Sequence, residues 1–254
     1  MDFVIVSIAG LILGSFANAI IYRLPDIDSL IHDRSECPHC KAKLPAKDLI
    51  PVISYILLRG KCRECGKPIS WQYPAIEIVM AILFILCWYY FHASLYSIFL
   101  MLLSFGLVII FVYDLMKMEI SNEGLIYLII LTLIWVAWGL YLNSQSIDLI
   151  VMRIWAAIIG GIFWLILNLV SKGKWIGFGD FKLGLILGFI LAFPNVWVFL
   201  FLTAIIGGLV ALALIASGKR HLKQKIAFAP IMVTAFFVTA FWGTQILDWY
   251  LRII

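Results

Sequence analysis

Charge is what this sequence has least of. Asp, Glu, Lys and Arg make up 13% of its 254 residues and apolar residues 64%, where soluble domains average about 25% charged and about 45–50% apolar. So little polar surface excludes a water-soluble globule and identifies an integral membrane protein. Long polar stretches are scarce as well. The longest, 23–73, runs to roughly 50 residues, near the lower limit for independent folding, which excludes a soluble domain of ordinary size. No basic segment precedes the first apolar run, and Tyr22-Arg23-Leu24-Pro25 stands where a small-residue cleavage site would be. The run is therefore expected to be a retained anchor and not a removable signal peptide. Also missing are a soluble glycine-rich cofactor-binding fold and the pseudo-repeated halves of many transporters.

What the chain does have is apolar runs. Measured against the roughly 20 residues needed to cross a bilayer core, they predict eight spans at about 2–22, 74–91, 95–113, 124–142, 150–170, 180–193, 196–216 and 228–250. The sixth is short and bounded by Pro194, so it is tilted, broken or only partly spanning, and a seven-span reading stays open. Lys and Arg gather in one alternate set of loops, 23–73, 114–123, 171–179 and 217–227, while the other set has little beyond Arg153 and Arg252. That bias places the basic loops in the cytoplasm and both termini outside. Topology and anionic headgroups account for the net charge of +5, so no nucleic-acid partner is called for. The ten tryptophans, many near span ends, fit an interfacial aromatic belt.

Cysteine is rare too, five in all, yet four of them form two C-x-x-C pairs. Cys37 and Cys40 are followed, after 21 intervening residues, by Cys62 and Cys65. Two residues between cysteines let a tight turn aim both thiolates at one metal, and Gly66 lets the second turn close. Four soft thiolates select zinc. Such a site is closed to catalytic water, so the metal organises the loop. A reducing cytoplasm argues against two structural disulfides, and a redox role fits a single pair better than two. His39 reads as a knuckle residue and mid-span Cys87 as a small apolar one.

Two carboxylates stand out because membrane helix ends rarely keep them without a task. Asp114 closes the third span and Asp180 follows Gly177-Phe178-Gly179 at the start of the sixth. The bland reading pairs each with a lysine, Lys117 or Lys182, among the headgroups. Two on one side of the bilayer, one of them in a Gly-x-Gly turn, favour the chemistry of an aspartic protease: one carboxyl holds a proton while the other activates water. The glycines flanking Phe178 would let substrate backbone approach and adopt torsions closed to other residues, with helix packing as the alternative. Glu77, just inside the second span, needs a partner and belongs to the loop–membrane junction or to the active cleft. Asn18 and Asn168 read as interhelical hydrogen bonders. The acidic residues Asp26, Asp28, Asp33, Glu36, Asp48 and Glu64 read chiefly as a mixed solvated loop surface.

Beyond these features the chain closely resembles the type IV prepilin peptidases. The resemblance is carried by Gly14-Ser15-Phe16-Ala17-Asn18 through Tyr22-Arg23-Leu24-Pro25, the two cysteine pairs with Ile50-Pro51-Val52-Ile53-Ser54-Tyr55 between them, and Arg59-Gly60-Lys61-Cys62. It continues with Ile69-Ser70-Trp71-Gln72-Tyr73-Pro74-Ala75-Ile76-Glu77, Gly177-Phe178-Gly179-Asp180-Phe181-Lys182-Leu183 and Phe228-Ala229-Pro230. The Gly-x-Gly-Asp motif alone is shared with presenilins and signal-peptide peptidases, which lack the cysteine loop. One departure follows Asp114: Glu119-Ile120-Ser121-Asn122 keeps the family's apolar residue and loses its proline.

The resemblance implies an all-α membrane aspartic endopeptidase with a helix at 1–22, a cytoplasmic zinc loop at 23–73 and a protease core at 74–254. It implies Asp114 and Asp180 as catalytic residues. The substrates implied are prepilins or pseudopilins, cut after Gly between a short basic leader and an apolar stem at the cytoplasmic face of the cell membrane. For many members it also implies N-methylation of the new amine by S-adenosylmethionine. A methyltransferase without proteolysis would leave the aspartates idle. A small proton-coupled transporter would leave the cysteine loop idle.

Overall fold

The computed structural model describes residues 2–25, 34–142, 145–173, 176–217 and 227–252. The acidic positions 26, 28 and 33 and most of loop 217–227 lie outside them. Helix α1 (Asp2–Arg23) is followed by the polar loop, which holds a 3-10 turn (Ala46–Leu49) and a short helix α2 (Ile53–Leu57). Then come α3 (Gln72–Phe91), α4 (Leu95–Lys117), α5 (Asn122–Tyr141), α6 (Ile147–Val170), α7 (Phe178–Leu191), α8 (Asn195–Ala216) and α9 (Ala229–Leu251). Among the described residues the regular structure is helical, as the composition predicts, with only two isolated β-bridges.

Seven of these helices are long and apolar enough to cross a membrane. The eighth expected span, α7, has 14 residues, about 21 Å at 1.5 Å per residue, short of a roughly 30 Å hydrocarbon core. Lipid would serve as the missing solvent: Leu133, Ile134, Leu209 and Leu212 are all at least 60% exposed. Trp71, Trp138, Trp197 and Trp249, each within a turn of a helix end, are at least half exposed.

The chain forms two compact units, 1–109 and 110–254. In the first, α1 lies against α3 through glycines. A Cβ on Gly10 would sit 2.7 Å from the Cα of Ala81, and one on Gly14 would sit 2.6 Å from the Cα of Glu77. This four-residue spacing of small residues lets membrane helices approach to backbone contact. Asn18 crosses the same seam and donates its amide N–H to the Tyr73 carbonyl at 3.0 Å. In the second unit α6 and α7 meet the same way. A Cβ on Gly188 would press within 2.5 Å of the Ala156 carbonyl oxygen, and one on Gly184 within 2.7 Å of that of Gly160. Leu183 and Leu187 are fully buried on that short helix.

Arg153, on α6, donates from Nη1 to the Phe189 and Ile190 carbonyls at 3.3 and 3.2 Å. It serves the last carbonyls of α7, which no further helical turn satisfies. A helix too short to carry its end to water thus ends on a guanidinium.

Candidate active site and metal centre

The cysteine loop is a repeated turn. Cys37 N–H donates to Ala42 and Lys41 N–H to Cys37, and in the second copy Cys62 N–H donates to Lys67 and Gly66 N–H to Cys62. The fourth residue after each leading cysteine, Lys41 or Gly66, turns with φ of 60° or 68°. Glycine makes that conformation without penalty, as expected of Gly66. The Lys41 ammonium is instead held by Glu36 at 2.7 Å. Arg63, inside the second pair, forks onto Asp48 at 2.6 and 3.0 Å and ties the knuckle to the 3-10 turn. That hydrogen bond holds the Asp48 carboxyl below the usual range.

The four sulfurs of Cys37, Cys40, Cys62 and Cys65 all lie within 4.8 Å of one another, with Cys37 and Cys65 4.0 Å apart. A tetrahedral zinc with bonds of ~2.3 Å needs sulfurs ~3.8 Å apart, so the residues fit the metal with little adjustment. Burial pulls Cys37 up, but the Cys40 and His39 amides and the neighbouring thiols outweigh it and bring it to about 7. At Cys40 the Ala42 amide pulls down, but burial and the three neighbouring sulfurs push it to about 11. Cys87 is fully buried in α3, away from this cluster in sequence and role.

Asp114 and Asp180 line one cavity of about 380 Å³ with Met118, Ile120, Leu125, Ile176, Lys182 and Phe228, among others. Both are buried, at 4% and 6% exposure. Asp114 accepts a hydrogen bond from the Ala229 N–H at 3.0 Å, so the segment that opens α9 fixes its carboxylate. Asp180 is the third residue of α7 and accepts from the Gly177 N–H at 2.9 Å, closing the helix's first turn. Each keeps one oxygen not used by these bonds. Among the described residues neither is ion-paired, and the Lys182 ammonium lies 5.5 Å over the Phe178 ring instead. The helix-end lysine pairing is therefore absent.

The glycines act differently from the torsional expectation. Gly177 has φ −77°, Gly179 is helical, and neither has positive φ. What they contribute is a missing Cβ. One on Gly179 would come within 3.0 Å of the Ile120 side chain, so the loop after Asp114 rests on the start of α7. Ser121 caps α5 by accepting from Gly124 N–H at 2.9 Å, which builds this loop without the family's proline. Asn168 pins the approach to α7 by donating to the Ile176 carbonyl at 2.6 Å.

Glu77 lies in the first unit, in the wall of a second cavity of about 900 Å³ that also holds Ser15, Asn18, Tyr73 and much of the cysteine loop. It is 7% exposed and accepts from the Val52 N–H at 2.7 Å. Val52 has φ 60°, a conformation β-branched residues avoid. The carboxylate thus binds a strained loop residue to the membrane helix pair, the junction role weighed for it.

Comparison with known proteins separates the same two regions. A model described as the Bacterial Peptidase A24 N-terminal domain matches residues 8–91, and one described as the Type IV leader peptidase family matches 101–212. A prepilin leader peptidase/N-methyltransferase of Bacillus subtilis (strain 168) is 32% identical over 248 residues, covering 98% of this chain and 97% of its own. The chain belongs to the type IV leader peptidase family. Proteins with the same printed name from Legionella pneumophila and Aeromonas hydrophila are 28% and 29% identical, each covering 98% of this chain and 94% and 93% of their own. No solved structure is significantly similar. Sequence reasoning on this peptidase named both carboxylates and all four cysteines. It missed Arg153 as a partner of α7 and the glycine seams of α1 with α3 and α6 with α7.

Proposed function

We propose that this peptidase is a membrane aspartic endopeptidase that removes the short basic leader of type IV prepilins or pseudopilins, after Gly, at the cytoplasmic face of the cell membrane. The observation that carries the reading is the shared cavity of Asp114 and Asp180, two buried, unpaired carboxylates at helix ends. Two such groups close together do not both ionise readily, so they titrate as a pair. One takes a proton from the attacking water while the other gives its proton to the carbonyl oxygen; as the resulting diol collapses, the first passes the water's proton to the leaving amine and the second takes a proton back from the diol hydroxyl. Gly177 leaves room beside Asp180 for an extended substrate backbone, while Gly179 lets Ile120 close against the start of α7. The leader stays in water, and the apolar stem is held among the helices.

The four cysteines hold one structural zinc that shapes the loop and takes no part in the cut. The relatives' printed name also supports N-methylation of the new terminus by S-adenosylmethionine.

Asp114→Asn and Asp180→Asn are the test. Each is expected to abolish cleavage of a synthetic prepilin, by a factor of 10³ or more, about 4 kcal/mol of lost transition-state stabilisation. Zinc content and helicity should stay at parental levels. Near-parental turnover by either protein would sink the dyad.

A further inference from the structure

The polar loop has an apolar side that neither the metal nor the cleavage chemistry uses. Between Asp48 and Leu58, five large apolar residues, Leu49, Ile50, Ile53, Ile56 and Leu57, are 40–74% exposed. The last three lie on α2 at spacings of three and four, which bring side chains to one helix face. Ser54 and Tyr55, between them, turn the other way into the wall of the larger cavity. The segment is therefore amphipathic, and in water its outer face would stay uncovered.

Glu77 fixes where that face sits. Helix α3 has 20 residues, about 30 Å of length, all of which a hydrocarbon core of roughly 30 Å uses. Its first turns therefore lie within the bilayer boundary. Trp71, just before them, is exposed at the level aromatic residues favour. Glu77 comes six residues after Trp71, about 9 Å further along the helix, and a helical side chain leans back toward the helix start. Its carboxylate holds the Val52 N–H at 2.7 Å. Val52 immediately precedes α2, so that helix hangs about 5–9 Å inside the start of the span. Interfacial amphipathic helices bury their apolar faces to a similar depth, roughly 5–10 Å.

The surroundings agree. At the level where Gly14 meets Glu77, Phe16 on α1 and Ile78 on α3 are exposed as well, so α2 continues a surface that lipid covers. Lys47, Arg59 and Lys61 bracket the stretch and are exposed. Cationic side chains of this length reach from such a depth to headgroup phosphates. The acid inside the bracket, Asp48, is held by Arg63 of the second cysteine pair.

We propose that residues 49–57 are an interfacial membrane anchor, and that the bilayer is the partner of this face. Helix α2 lies in the membrane plane, with Ile53, Ile56 and Leu57 among the acyl chains just below the headgroups. The middle of the stretch 23–73 is then part of the membrane-bound surface and not a free loop. Through the Asp48–Arg63 fork the anchor also carries the second cysteine turn against the membrane. This placement is independent of the cleavage chemistry.

The test uses the zinc-loaded full chain in nanodiscs of phosphatidylethanolamine and phosphatidylglycerol. They contain a phospholipid with a diazirine on its acyl chain, close to the glycerol. Photolysis of the parental chain is expected to label 49–57 as well as the membrane helices, and to label the second cysteine turn, 61–68, about fivefold less, because the acyl probe does not reach water. Leu57→Glu should cut labelling of 49–57 about fivefold, since a carboxylate is disfavoured at that depth, whereas Leu57→Phe should keep it. Zinc content is the folding control, and the parental result stands on its own if the glutamate variant fails to fold. Absence of label from 49–57 in the zinc-loaded parent would overturn the proposal, as would unchanged labelling in zinc-loaded Leu57→Glu. Two other occupants would overturn it too. One is a second copy, shown by Ile56→Cys crosslinking chain to chain with loss of lipid label. The other is a substrate stem, shown by added prepilin removing lipid label from 49–57 while sparing the membrane helices.

Discussion

At the scale of single residues, the site is held by atoms that are absent as much as by those present. Gly14 has no room for a side chain: a Cβ there would lie 2.6 Å from the Cα of Glu77, a backbone atom that cannot swing aside. The residue pressed is the one that ties Val52 to the helix pair. Gly14→Val is therefore expected to push α1 from α3 and to destabilise the first unit by about 1–3 kcal/mol, the usual cost of overpacking. Thermal unfolding in detergent, with zinc release as the reporter, measures it. A melting curve matching the parent would show that the seam yields. At Gly179 the nearest atom to an added Cβ is the Ile120 Cβ at 3.0 Å, a looser contact than the 2.6 Å at Gly14, so Gly179→Ala should be the milder change of the two.

At the scale of elements, the zinc loop and α7 show two ways to stabilise a piece of chain that cannot bury itself. The loop has few buried apolar side chains; Cys37 and Cys62 are among its few buried residues. The zinc proposed above would stand in for a core. Replacing Cys37 and Cys40 together should remove about one zinc per chain and loosen residues 34–71, read as faster proteolysis in that stretch. Because four thiolates fill the site, a chelator should act slowly and through loss of structure. Instant, reversible inhibition of cleavage would point to a catalytic metal instead. This part was legible in the sequence because C-x-x-C spacing is local, and so was Gly66, whose positive φ follows from the knuckle. The partner of Glu77 was not, since Val52 is 25 residues away and no periodicity connects them.

Helix α7 is the harder case. Its apolar run and Pro194 announced a short segment, but not what ends it. Arg153 read only as a lone basic residue near a helix start, because its partners are main-chain carbonyls 36 and 37 residues on. Those contacts fix the far end of the helix that presents Asp180 at its third position. Arg153→Leu should cost about 1.5–3 kcal/mol, the range for a charged hydrogen bond. It should lower kcat of cleavage while leaving zinc content unchanged, and Arg153→Lys should recover part of both losses. If stability and kcat both stay parental with leucine, the guanidinium is not what holds α7.

At the scale of the whole molecule, access to substrate depends on which side of the bilayer the carboxylates face. Lys and Arg concentrate in one alternate set of loops, the bias that marks the cytoplasmic side, and Asp114 and Asp180 lie at helix ends adjoining those loops. Carrying a carboxylate through the hydrocarbon core is costly by any measure, so the pair stays on the side where it is built. In the topology proposed above, the scissile bond sits at the cytoplasmic interface, with a basic leader in water and an apolar stem in lipid. Met118, one turn past Asp114 and 47% exposed, and Ile147, 75% exposed at the start of α6, give one reporter for each face in the proposed topology. In intact cells, Ile147→Cys should react with an impermeant maleimide from outside, and Met118→Cys only after permeabilisation, each compared with the parent chain. A prepilin whose first stem residues are made polar should be cut at least tenfold more slowly, because partition of the stem, worth about 0.8 kcal/mol per buried methylene, brings the bond to the dyad. Outside labelling at position 118 would invert the topology. Efficient cutting of the polar-stem substrate would mean that the leader, and not the stem, docks the bond.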